Sequence, residues 1–189
     1  MIVSLEWLKD YTDVHVSPEE FCDRMIMSGS NLETMELVGE DIQNVVVGRI
    51  ARITPHPDAD KLVVCQIDIG QDAPIQIVTG APNVFEGAYV PVALDGSHIP
   101  GPLHGQPKQE GGTLITKGSL RGMLCSFGEL GFEDKVVPIN QREGIWILEK
   151  EYPLGSDFAE TMELKDAIID FEITPNRPDC LSMIGMARE

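Results

Sequence analysis

Basic side chains are scarce in this chain: 14 Lys and Arg stand against 31 Asp and Glu, a formal net charge of −17 over 189 residues. A protein that holds nucleic acid by diffuse charge alone shows the opposite balance, so strong phosphate-driven binding by this chain on its own is not expected. The deficit is spread out. Residues 1–39 and 151–189 each carry −6, and the longer middle, residues 40–150, carries only −5. Aromatic residues are equally thin at 6%, too few for an extended base-stacking platform.

Other absences narrow the class further. The four cysteines, Cys22, Cys65, Cys125 and Cys180, lie far apart with no C-x-x-C pair, so neither a disulfide framework nor a zinc site is expected. Lone buried thiols in a reducing cytoplasm are the reading that remains. No run approaches the roughly 18 apolar residues of a membrane helix. No basic segment followed by an apolar stretch comes after Met1, so no signal peptide is expected. There is no G-x-x-x-x-G-K-[ST] phosphate loop and no G-x-G-x-x-G turn. His98 and His104 fall in one long loop, and the sequence pairs no nucleophile with a base, so no catalytic residue is expected.

What is present is a middle region of short strands punctuated by Gly and Pro. Val45–Ile53 is rich in β-branched residues, and Leu62–Ile69 places Val63, Cys65, Ile67 and Ile69 on one face. Pro55 and Pro57 between them cannot donate ladder hydrogen bonds, and Asp58 and Asp60 favour turns. The pattern predicts a long β-hairpin whose loop ends in a single cation, Lys61. Strands are also predicted at Ile75–Val78, Tyr89–Leu94, Thr113–Thr116 and Ile145–Leu148, with a long loop from Gly96 to Gly112. Gly48 inside the first strand predicts a bulge that lets one strand serve two sides of a barrel. Five or six such strands without a long helix are what a closed Greek-key barrel of the OB type requires.

The flanks read differently. Leu5, Trp7 and Leu8 begin an amphipathic turn after Ser4. Ser17 as N-cap, Pro18 at the first position and Glu20 in a capping box predict a helix with Phe21, Cys22 and Met25 on its apolar face, stopped at Gly29. Leu32–Val38 follows as a strand. Past Lys150, Ser156 caps a short helix through Met162, and Ala167–Ile173 alternates with Ile169, Phe171 and Ile173 on one face. A rigid turn, Thr174–Asp179, then leads to Leu181, Ile184 and Arg188 at helical spacing. The pattern stops at Glu189 without a C-cap, as a piece of a longer protein would. The expected organisation is a mainly β chain with α+β flanks: an OB barrel over 40–150, inserted into a small discontinuous helical domain made of 1–39 and 151–189.

Two constellations bear on chemistry. His56-x-Asp58-x-Asp60 has the look of a metal site, but an octahedral oxygen site needs more ligands, and a hydrogen-bonded turn is the simpler reading; no metal ligand is expected. The second is a nucleic-acid face. OB barrels bind across their strands with cations for phosphates and flat or soft side chains for bases. Arg49, Arg52, Lys61, Lys117 and Arg121 supply the cations, with Asn83, Ser119, Met123 and Ser126 as polar or soft contacts.

HPDADKL with the TGAPN turn resembles the OB-fold tRNA-binding domain of bacterial phenylalanyl-tRNA synthetase β subunits. The resemblance spans the chain: IVSLEWLKDY, IVTGAPN, VALDGSHIPG, LRGMLCSFGELG and DFEITPNRPDCLSMIGMARE are similar to successive landmarks of that family. Free-standing tRNA-binding modules share only the middle ones. One departure is a shortened turn: Leu120-Arg121-Gly122 runs directly into Met123-Leu124-Cys125-Ser126, where the family usually has a few residues and then Ser-x-Gly-Met before the Leu-Cys-Ser. The resemblance implies a non-catalytic part of an (αβ)₂ heterotetrameric ligase of the cytoplasm, which joins phenylalanine to its tRNA using ATP and Mg²⁺. Its aminoacylation site lies in the α subunit, and its editing and metal-binding regions lie elsewhere in β. No cofactor is expected in the present residues. The implied partners are tRNA, the α subunit and the remainder of β, with no membrane. A protein-interaction barrel that never touches RNA and a free-standing tRNA-binding protein are the alternatives, and a small hydrolase using the His-Asp loop is a third class.

Overall fold

One strand, β3 (Gln43–Pro55), organises the middle of the chain. Its first half pairs with β6 (Tyr89–Ile99) and its second with β4 (Val63–Asp68), both antiparallel. The changeover falls at Arg49, which has a register partner on each side, Asp68 and Tyr89. Strand β5 (Ile75–Thr79) extends the sheet beyond β4, and β7 (Thr113–Leu114) and β8 (Met123–Leu124) pair with β6. The computed structural model describes residues 1–103, 112–115 (Leu114 by its backbone only) and 122–189.

The curled sheet wraps a core of Ile50, Cys65, Ile67, Ile77, Val90, Val92, Leu124 and Ile145. Gly48 sits inside it. A Cβ there would come within 2.7 Å of both Ile67 Cγ2 and Val92 Cγ2. The glycine is therefore a packing requirement, and the predicted bulge is elsewhere: the register slips at Asn44, whose φ is +55°, and at Ala51. On the other face of β3, Val45 and Val47 are also fully enclosed, with the short helix α3 (Phe158–Thr161) packed against that strand.

Three further expectations are corrected. Strand β6 runs on through Ile99, so the first residues of the predicted Gly96–Gly112 loop are sheet, tied by Gly96 N–H to the Ile115 carbonyl at 2.7 Å. Ile145–Leu148 forms no ladder: Leu148 makes one bridge to Tyr89, and Trp146 N–H donates to the Cys125 carbonyl at 2.9 Å. Asp157, not Ser156, caps α3, its Oδ1 accepting from Glu160 N–H at 2.9 Å, while Ser156 Oγ donates back to the Pro153 carbonyl.

The chain divides into two units, Asp41–Met162 and a second built from Met1–Glu40 with Glu163–Glu189. The segment 151–162 thus falls with the strands, where the composition alone places it in the flank. Val47 exchanges backbone hydrogen bonds with Ser156 and Gly155, and Phe158 sits edge-on to Trp146 with ring centroids 5.2 Å apart.

The second unit is a three-stranded antiparallel sheet in the order β1 (Ile2–Ser4), β9 (Asp166–Glu172), β2 (Asn31–Val38). The helix α2 (Pro18–Ser28) starts as its sequence dictates, with Ser17 Oγ accepting from Glu20 N–H, and Gly29 in the left-handed region ends it. Met25, Ile169 and Phe171 share one core, and Phe21 packs edge-on against Phe171. The short helix α4 (Met183–Arg188) turns Met183 and Met186 inward. The periodic set Leu181, Ile184 and Arg188 faces out instead.

Candidate functional site

The proposed contact residues separate into groups. Arg49 and Arg52 are three positions apart, which on a regular strand puts them on opposite faces. The slip at Ala51 restores phase: Ile50 and Ile53 both turn toward the core, and Arg49 and Arg52 are both exposed. Arg52 lies opposite Gln66, which in turn pairs with Gln76 through a 3.3 Å amide contact, so the outer face of β3, β4 and β5 carries a polar row headed by a cation. Lys61 is exposed in the β3–β4 loop. None of these three cations is ion-paired among the described residues. The His56 segment of that loop is a closed turn: His56 Nδ1 accepts from Asp58 N–H at 3.1 Å, and His56 N–H reaches the Leu62 carbonyl at 3.1 Å.

Asn83 and Ser126 stand elsewhere, around a cleft, and both spend their polar atoms on structure. Asn83 Nδ2 donates to the Ile145 carbonyl at 2.7 Å and Oδ1 accepts from Ile145 N–H at 3.0 Å. Ser126 Oγ donates to Glu129 Oε2 at 2.8 Å, and Ser126 N–H donates to the same oxygen at 2.7 Å. Met123 lies in β8 opposite Ala93, half-buried. Lys117, Ser119 and Arg121, like His104, lie outside the described residues.

The cleft has two adjoining chambers of about 540 and 300 Å³ that share Pro82, Ser126, Glu129 and Gly144. Sequence reasoning missed Glu129, Phe127 and Arg142, which line the larger chamber. A signal existed in Ser126-x-x-Glu129, the capping-box spacing, and the structure closes it, with Glu129 N–H also donating to Ser126 Oγ at 3.3 Å. Phe127 is fixed by stacking on Trp146 at a centroid distance of 3.9 Å. Burial and the Glu129 charge push the Cys125 thiol far above its ordinary range, which disfavours the thiolate.

Residues 45–156 match the model of a protein family described as "Putative tRNA binding domain". The chain belongs to this tRNA-binding family. The curled sheet around β3 is accordingly OB-like, and the matched segment ends within the unit that carries it. Over its whole length the chain is also similar to the phenylalanine–tRNA ligase beta subunits of Clostridium acetobutylicum (47% identical over 194 residues), Clostridium tetani (46%) and Moorella thermoacetica (44%). It covers 23% of each of these relatives, so the chain spans about a quarter of their length.

Proposed function

We propose that this chain is the non-catalytic tRNA-binding part of a phenylalanine–tRNA ligase β subunit, assisting tRNA binding or domain positioning while the chemistry occurs elsewhere in the enzyme. The observation that carries this is similarity along the entire chain to ligase β subunits, flanks included, and not over the tRNA-binding segment alone. The full protein then works in the cytoplasm in an (αβ)₂ assembly with its α partner and consumes ATP and Mg²⁺. No helix among the described residues is long and apolar enough to cross a membrane.

The exposed row on β3 and β4 suits weak, backbone-directed contact. Two or three cations release few counterions, and the surrounding negative charge opposes phosphate at close range. Titration of tRNA at low and near-physiological salt tests the reading. Binding is expected to be weak, to fall as salt rises, and to drop further in an Arg49→Ala, Arg52→Ala variant. Tight binding indifferent to salt and to both substitutions would overturn it.

A further inference from the structure

We propose that the two-chambered cleft is a socket for an arginine side chain presented by a basic segment of a protein partner. Glu129 carries the argument. Its residue is only 7% exposed, yet it lines both chambers. Oε2 accepts two hydrogen bonds from Ser126, and Oε1 has no partner among the described residues. The second oxygen of this carboxylate is open to a donor entering the cleft, and a cationic donor completes it best. Among the described residues the mouth has the same sign: Asp134 and Glu143 line the larger chamber beside Arg142, whose Nε is engaged by the Val137 carbonyl at 3.2 Å. This lining disfavours phosphates and carboxylates.

The walls select among cations. Pro82, Leu103, Phe127 and Val137 give the larger chamber an apolar lining. A guanidinium is flat, weakly hydrated and forked, so it lies along such walls while its N–H groups meet a carboxylate; an ammonium is compact and strongly hydrated. The arginine stem also buries methylenes there. A guanine edge offers similar donors, but it brings its own phosphates to an acidic mouth, which disfavours RNA as the occupant. Both chamber volumes approach or fall in the range of ligand sites, about 300–1,000 Å³.

The test is a titration of the ¹⁵N-labelled chain with N-acetyl-arginine amide, with N-acetyl-citrulline amide as the neutral isostere and guanosine monophosphate as the nucleic-acid alternative. Arginine amide is expected to shift the Gly128, Glu129 and Gly144 amide signals at least tenfold more effectively than citrulline amide. Glu129→Gln, whose amide oxygen still accepts from Ser126, is expected to lose at least fivefold in affinity. Should that variant unfold, the surface pair Asp134→Asn, Glu143→Gln tests the same point and is expected to weaken binding. Absence of shifts at these amides, an equal response to citrulline amide, preference for the nucleotide, or indifference to the charge-removing variants would each overturn the proposal.

Discussion

Asn83 and Ile145 are joined by a side-chain clasp that imitates a strand pair, the amide donating to one backbone group of Ile145 and accepting from the other. Ile145 is buried, so neither backbone group finds ready replacement in water. The neighbouring Gly144 has φ +92°, and a Cβ on it would lie 2.0 Å from Asn83 Oδ1. Clasp and glycine are thus one device, and it sets the wall between the β5 turn and the cleft.

Asn83→Ala is expected to destabilise the strand-rich unit by about 1–3 kcal/mol, the usual cost of stranding a buried backbone group. Gly144→Ala should cost a similar amount. Because both break the same contact, the double variant should fall short of their sum by about 1 kcal/mol or more. Urea unfolding followed by Trp146 fluorescence, in a Trp7→Phe background, measures this. Strict additivity would show the two residues act independently.

Gly48→Ala inserts a methyl group between Ile67 and Val92, both fully enclosed. Overpacking of this kind costs about 1–3 kcal/mol. Thermal unfolding of the variant should show a lower midpoint. A bulge role for Gly48 would instead leave stability nearly unchanged, since alanine tolerates the φ found there.

A polypeptide of residues 41–162 is expected to fold alone, and one of residues 41–150 to be weaker by about 3 kcal/mol or more, the scale of deleting a buried phenylalanine. The shorter piece loses Phe158, which is fully enclosed, and the two backbone bonds of Val47. Denaturant midpoints of the two polypeptides decide the matter; equal midpoints would place the boundary nearer Lys150.

In the other unit, Arg177 pairs with Asp179 at 3.0 Å and with Glu189. Hydrogen bonds from its guanidinium hold both carboxyls below their ordinary range. A carboxylate whose folded pKa is depressed contributes stability that is present above the unfolded pKa, about 4 for these residues, and is lost as pH falls through the folded value. Arg177→Gln should therefore raise the Asp179 carboxyl pKa in a ¹³C NMR titration and lower stability at neutral pH. The difference from wild type should vanish in strong acid. An unshifted Asp179 titration would remove the guanidinium as the cause.

Local sequence determined much of this protein. The Ser17–Pro18 start and Gly29 stop of α2, the alternation in β4 and β9, and the turn after Pro55 all follow from residue chemistry within a few positions. The landmarks of the tRNA-binding family are equally local. What the tertiary structure decided depends on partners distant in the chain. Arg49 and Arg52 share a face only because the strand slips at Ala51, which spacing does not reveal. Gly48 is required by Ile67 and Val92 on neighbouring strands, not by its own backbone. Leu181 and Ile184 are at core-like spacing but exposed, since α4 presents Met183 and Met186 to the core. Asn83 and Ser126 carry the polarity expected of a binding face, yet folding brings Ile145 and Glu129 to them and consumes it. A side chain's polarity is a property of the residue; whether that polarity remains free to meet a ligand is settled by what the fold packs beside it.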